Sequence, residues 1–295
     1  MSGASTNPIS EIKSHVDNLL SQLIKPNTCN NSLNEAMLYA LMAGGKRLRP
    51  LLCYACAITL DTPIKAVDNA ALAIECLHTY SLIHDDLPSM DDDELRRGKP
   101  TVHVCYDEAT AILAGDALQT LAFELLATPN NALDATQQCE MCFALAKASG
   151  QDGMVGGQAI DLALTGNSAS LKLIENMHQL KTGQLLSVSV ELALIAAKAD
   201  QKTTQAIQEW IKCLGLAFQI QDDILDVEAT SQTLGKTAGK DLDQNKPTYV
   251  KIAGIEQAKN DVKTLLNKGL KSLQNLPIDT SLLQSLSYSL VNRSA

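Results

Sequence analysis

Between residues 78 and 101 the chain reads HTYSLIHDDLPSMDDDELRRGKPT, with six acids from Asp85 to Glu94 and Arg96 and Arg97 directly behind them. Carboxylates gathered at the end of a helix repel one another and oppose the negative end of its dipole. A cluster of divalent cations offsets both effects. Hard cations such as Mg2+ take oxygen ligands, keep several waters, and bind through one or two carboxylates together with a substrate's phosphates. The plain alternative is a solvated acidic loop. Leu82-Ile83-His84, just ahead, puts these acids at the end of a buried helix instead.

A second acidic set lies in FQIQDDILDV, residues 218–227. Asp222 and Asp226 are four apart and share one helix face, with Asp223 turned by about 100°. Phe218, Ile220, Ile224, Leu225 and Val227 surround them, and carboxylates on so apolar a helix are costly to bury unless paired or metal-bound. Alone, D-D-x-x-D is a weak pattern. With the first set it describes a two-sided metal clamp.

Two cationic stretches complement the acids. In GGKRLRP (44–50), Lys46, Arg47 and Arg49 stand between a glycine pair and a helix start, where cations and free N–H groups together make an anion site; the alternative is an exposed basic turn. In LGKTAGKDLDQNKPTYV (234–250), Lys236, Lys240 and Lys246 follow the second acidic helix, and a cationic loop there could close over a polyanion or simply be solvated.

The elements that must position these groups are helical. Hydrophobic residues make up 45% of the 295-residue chain but aromatics only 3%, so the core is built from Leu, Ile, Ala, Val and Met, a composition that favours helices over strands. Ile12, Val16, Leu19, Leu20, Leu23 and Ile24 form one stripe at spacings of three and four. Ser32 and Glu35 have capping-box spacing, Gly44-Gly45 ends that helix, and Pro50 can open the next. Helical patterning continues over 64–87, 106–127, 131–149, 170–199, 201–228, 255–275 and 279–292, and Gly98-Lys99-Pro100 is a break. Period-two alternation, tandem repeats and low-complexity linkers are not evident, so the expectation is an all-α fold and a single domain, 1–295.

A net charge of −9 argues against a nucleic-acid partner. The N-terminus lacks the pattern of a signal peptide, and no apolar run is read as reaching the ~20 residues of a membrane span, so no membrane insertion and a soluble, cytoplasmic protein are expected. The cysteines include two C-x-x-C pairs, Cys53/Cys56 and Cys139/Cys142; without turn glycines these read as thiols sharing a helix face rather than as a zinc site.

The four segments, in this order, resemble the trans-isoprenyl diphosphate synthases over nearly the whole chain. GGQAIDL (156–162), Lys181-Thr182-Gly183 and AGDAL (114–118) share in the likeness. The four residues between the Asp85-Asp86 pair and Asp91 are typical of the bacterial farnesyl diphosphate synthases. The resemblance implies a bundle of long helices around a central cleft, paired as a homodimer, that condenses isopentenyl diphosphate with dimethylallyl or geranyl diphosphate to farnesyl diphosphate. It implies that Asp85 and Asp91 ligate two Mg2+ ions and Asp222 a third, with Asp86, Asp223 and Asp226 in support. Arg96, Lys181, Lys236 and Lys246 would hold the allylic diphosphate, and Lys46, Arg49, His78 and Arg97 that of isopentenyl diphosphate. Thr182 and Gln219 would lie along the allylic chain and steady the developing cation.

Product length is read upstream of the first motif. Tyr80 lies about 7.5 Å along the helix axis from Asp85, and Ser81 is one residue nearer. In the family an aromatic at the position of Tyr80, with the long motif, goes with a C15 product. Departures are small: the second motif reads DDILD where many relatives have Tyr in the middle, and the tail carries only Arg293. The rivals are a synthase stopping at C10 or extending to C20, a terpene cyclase, a metal phosphohydrolase built on His84-Asp85, and a non-catalytic partner subunit. Such a subunit should have lost aspartates from one motif, and both are complete here.

Overall fold

The computed structural model describes residues 8–25, 31–228 and 247–292. In chain order the helices are α1 (Pro8–Ser21), α2 (Asn31–Leu41), α3 (Leu48–Thr59), α4 (Ile64–Asp85), α5 (Val102–Cys105), α6 (Glu108–Ala127), α7 (Ala135–Ser149), α8 (Met154–Leu164), α9 (Leu171–His178), α10 (Gln184–Ala196), α11 (Gln201–Glu228), α12 (Tyr249–Ala253), α13 (Ile255–Leu273) and α14 (Ser281–Val291). A π-helical turn, Gln179–Gly183, joins α9 to α10, and strands β1 (Leu95–Arg96) and β2 (Lys99–Pro100) form a minimal antiparallel hairpin. The fold is all-α, as the composition and periodicity imply.

The centre is α4, which packs against α3, α6 and α10, while α3 and α10 also meet. A helix that is apolar on nearly every side belongs in the interior. Along α4 the buried residues run from Ala66 to Ile83 with few interruptions, and α3 is buried continuously from Pro50 to Ala57. Ala70, Ala71 and Ala73 keep α4 slim enough for its neighbours to approach. Beside this centre α11 runs for 28 residues, about 42 Å. Helix α13 lies along it, and α14 is pinned to it where Trp210 Nε1 donates to Ser287 Oγ at 2.8 Å. Both long helices, α4 and α11, carry an aspartate set at or near the C-terminal end.

Several local expectations are corrected. Helix α2 already begins at Asn31, so Ser32 is a helical residue, and the Glu35 carboxylate instead accepts from Asn31 Nδ2 at 2.5 Å. Residues 170–199 are two helices separated by the π turn, not one. Residues 154–164, unassigned by periodicity, are helical. Helix α6 is long and apolar enough, by length and composition, to cross a membrane, contrary to the expectation of no such run; it carries Glu108, Asp116 and Glu124 and packs on α2, α4 and α7.

Candidate active site

The four residues after the Asp85-Asp86 pair fold back as a turn. Asp91 N–H donates to the Asp85 carbonyl at 2.9 Å, Asp92 N–H to Leu87 at 3.1 Å and Asp93 N–H to Asp86 at 3.1 Å. The end of α4 thereby has carbonyls satisfied by its own motif, and Asp91 is returned beside Asp85. Burial pushes the Asp85 carboxyl up to about 6; Lys181 opposes this and Asp91 adds to it. A carboxylate held against its preference in this way is one that a cation would favour.

Arg96 and Arg97 diverge because they lie in a tight hairpin. Arg97 and Gly98 have φ of 55° and 74°, the paired positive values of a type I′ turn. Arg96 turns back to Asp86, 3% exposed, through Nε at 2.9 Å and through Nη2, and reaches Asp93 at 3.2 Å. Part of the acidic run is therefore neutralised from within, and Arg96 faces the aspartates before any diphosphate. Arg97 goes the other way, its Nη1 donating to the Gly44 carbonyl. Gly45 has φ of 121°, a conformation that favours glycine, and a Cβ there would lie 2.5 Å from that guanidinium and displace it.

The basic stretch at 44–50 divides by role. Arg47, 4% exposed, donates to Glu75 at 2.7 Å, to Asp17 at 2.8 Å and to the Leu41 carbonyl at 2.7 Å. It ties α4 to α1 and α2 and is corrected from candidate anion ligand to structural link. Arg49 faces the cavity, and its Nε is buried without a partner; burial lowers its pKa to about 10 against the pull of Glu75. Such a buried, unpaired donor is suited to an anionic ligand. Beside it His78 is held neutral, chiefly by burial and then by Arg49 and Arg97, so it offers a hydrogen bond and not a charge. Lys46 lies at the surface. Arg47→Ala should therefore lose about 3–5 kcal/mol of stability, read by denaturant unfolding, whereas Arg49→Met should leave stability within about 1 kcal/mol and raise KM for an anionic substrate about tenfold or more.

On the opposite wall the π turn presents Lys181 and Thr182. Lys181 Nζ pairs with Asp161 Oδ2 at 2.6 Å, and Thr182 Oγ1 donates to Gln219 Oε1 at 3.1 Å. Gln219 Nε2 in turn lies 3.4 Å from Asp222 Oδ2. Asp223 points away and accepts from the Tyr249 N–H at 2.7 Å, with His178 Nε2 at 3.8 Å; burial lowers the His178 pKa to about 4. Asp226 is exposed. Lys236 and Lys246 fall in 229–246 and Arg293 in the tail, outside the described residues.

Between the walls lies a cavity of about 490 Å3, within the usual range for small-molecule sites. Arg49, His78, His84, Asp85, Gln158, Lys181, Thr182 and Gln219 supply polar lining; Leu82, Met90, Met154, Val155, Leu162 and Phe218 supply apolar walls. Tyr80 and Ser81 also line it. The Tyr80 ring meets His84 edge-on with centroids 5.3 Å apart. His84 Nε2 sits 3.1 Å from the Ile112 carbonyl, and a Cβ at Gly115 would fall 2.2 Å from that same nitrogen. The glycine of AGDAL thus gives His84 its seat. Gly115→Ala should cost about 1–3 kcal/mol, read as a lower denaturation midpoint.

Among the described residues no three His, Cys, Asp or Glu side chains converge on one point. The aspartates are instead divided between the end of α4, where Asp85 lines the cavity, and α11, where Asp222 lies 3.4 Å from the cavity residue Gln219. Of the residues that sequence reading singled out, Asp85, Lys181, Thr182, Gln219, Arg49 and His78 line this cavity, while Asp91 lies next to Asp85 and Asp222 next to Gln219. Sequence reading missed Asp161, His178 and Gln158 as site residues; the Gly156-Gly157 pair, which signals close backbone approach, was the available hint.

Fold and site define an all-helical protein with a cleft that is polar where Asp85 faces Arg49 and Lys181 and apolar towards Tyr80. The polyprenyl synthetase family matches residues 30–277. The farnesyl diphosphate synthase of Haemophilus influenzae is 47% identical over 255 residues, 85% of this chain and 86% of that protein. That of Escherichia coli is 44% identical over 280 residues, 93% and 94% of the two chains. A structure of Helicobacter pylori geranyltransferase, complexed with magnesium and isoprenyl diphosphate, superposes with a TM-score of 0.84 at 35% identity, covering 98% of each chain. This chain belongs to the polyprenyl synthetase family.

Proposed function

We propose that the chain is a single-domain (1–295) prenyltransferase that condenses isopentenyl diphosphate with dimethylallyl or geranyl diphosphate to give farnesyl diphosphate. The observation that carries this is the cleft itself: a buried, unpaired Arg49 Nε and a carboxylate raised to about 6 at its polar lining, and an apolar wall reaching Tyr80. An amphiphile with an anionic head and a hydrocarbon tail fits that division.

The donor set suits Mg2+, because carboxylate oxygens are the ligands a hard cation takes. Asp85 and Asp91 on one wall and Asp222 on the other would hold it, with Asp86, Asp223 and Asp226 in support. Three ions per site is the number this reading calls for. Bound there, Mg2+ supplies charge neutralisation to the leaving diphosphate. The chain's own groups do the rest. Lys181 holds the allylic diphosphate, while Arg49, Arg97 and neutral His78 hold that of isopentenyl diphosphate. Arg96 acts first by fixing Asp86. The Thr182 and Gln219 oxygens face the carbon that becomes positive, and the apolar walls keep water from it. The allylic C–O bond breaks, the new C–C bond forms, and the proton lost from the isopentenyl unit passes to the departed diphosphate. No side-chain general base is needed.

Ile112 and Leu113 on α6 and Phe143 on α7 are exposed apolar residues that a second copy would cover in a homodimer, and the cytoplasm is the compartment this reading assigns. The deciding experiment incubates the purified chain with Mg2+, isopentenyl diphosphate and dimethylallyl diphosphate and sizes the products. A C15 product that disappears with chelator is expected. A folded chain without turnover would favour the partner-subunit reading.

A further inference from the structure

Gln158 lies on α8 where that helix crosses the π turn. A Cβ on the preceding residue, Gly157, would stand 2.2 Å from the Lys181 backbone nitrogen. Asp161, three residues further on, grips Lys181 Nζ at 2.6 Å. Helix α8 is thus fixed to the π turn at two points, with Gln158 between them in sequence. Gln158 lines the cavity together with Asp85, Lys181, Thr182 and Gln219.

Both ends of its carboxamide, Oε1 and Nε2, are buried and without a hydrogen-bond partner. Thr182 and Gln219, by contrast, satisfy each other at 3.1 Å. A buried amide with donor and acceptor both unmatched destabilises a fold, and a methionine of similar shape would avoid the penalty. Such a group is therefore best explained by what enters the cavity. A purely anionic ligand matches only Nε2, and an apolar one matches neither end. The breaking C–O bond of an allylic diphosphate presents an electron-rich oxygen and an electron-poor carbon within the span of one carboxamide.

Resting on the prenyltransferase reading, we propose that Gln158 is a further catalytic residue, its Nε2 donating to the departing diphosphate oxygen and its Oε1 facing the carbon that becomes cationic. The C–O electron pair leaves with the oxygen, the carbon takes the positive charge, and the amide neither gains nor loses a proton. Its dipole is set along the bond before the bond breaks, which is where a fixed dipole stabilises a transition state most.

The test is Gln158→Met in the full chain, with Mg2+, isopentenyl diphosphate and dimethylallyl diphosphate. Expected are a kcat roughly 10- to 100-fold lower, KM values within about threefold for both substrates, and a ligand-free Tm higher by roughly 2–6 °C as the unpaired amide is removed. Hydrolysis of geranyl diphosphate without isopentenyl diphosphate, which reads ionisation alone, should fall by the same factor as kcat. An unchanged kcat in the variant beside an active parent overturns this role and leaves the enzyme reading intact. So does a variant with lower Tm, which marks a structural glutamine. An inactive parent removes the enzyme reading and this role together.

Discussion

Asp85→Asn should yield a protein that is inactive yet, without metal, more stable than its parent. Asp85 is the last residue of α4, where the helix dipole, burial and Asp91 all disfavour its charge and only Lys181 and more distant cations favour it. Its pKa of about 6 in the folded chain stands above the 3.8 of an ordinary aspartate. A group whose folded-state pKa is raised supports the fold while protonated and loses that support as pH rises through the folded value. The advantage of the Asn variant should therefore be small near pH 4, grow through pH 6 and reach about 1–3 kcal/mol above pH 7. Thermal unfolding across this range in chelator measures it. Excess Mg2+ with inorganic diphosphate should reverse the order, because ligand binding stabilises only the protein that retains the site. Turnover should fall about 10^3-fold or more, the scale of several kcal/mol of lost charge stabilisation. A variant that melts below its parent at pH 7.5 in chelator would assign Asp85 to the fold and not to the chemistry.

Tyr80→Ala should change what is made more than how fast. Tyr80 is 7% exposed, lines the cavity and is braced edge-on by His84 at 5.3 Å, which is itself seated on α6 at Gly115. Removing the ring opens space along the path of the growing chain while leaving Asp85, a little over one turn away, in place. The main product should shift from C15 to C20 or longer, with the first condensation within about threefold of the parent rate. Stability should fall by less than the about 3–5 kcal/mol typical of a fully enclosed aromatic, because one side of the ring already faces a cavity. Chromatography of the dephosphorylated products settles it; an unchanged C15 product would place the floor elsewhere.

The long helices were legible because each carries an unbroken periodic pattern. The span 201–228 matches α11 residue for residue, and 64–87 overruns α4 by only two residues. What escaped was what periodicity does not register. The π turn at 179–183 adds a residue to one helical turn without interrupting the apolar pattern, so 170–199 reads as one helix. Helix α8 was hidden by Gly156 and Gly157, poor helix formers whose use here is to let α8 approach Lys181. The hairpin at 95–100 has strands too short to alternate. In the site, the aspartates stood out because acids on apolar helices need a reason. Arg47 and Arg49 could not be separated, since what distinguishes them is that Glu75, 28 residues away, reaches only the former within 2.7 Å. Asp161 and His178 look ordinary until the fold sets them beside Lys181 and Asp223.

The chain contains a single tryptophan, Trp210, 1% exposed and hydrogen-bonded to Ser287 on α14. It is absent from the lining of the catalytic cavity. Intrinsic fluorescence is therefore a built-in reporter of whether the C-terminal helix remains docked. Its red shift on unfolding can be followed in the aspartate, tyrosine and glutamine variants alike with no dye and no substrate, which keeps loss of structure and loss of turnover experimentally separate.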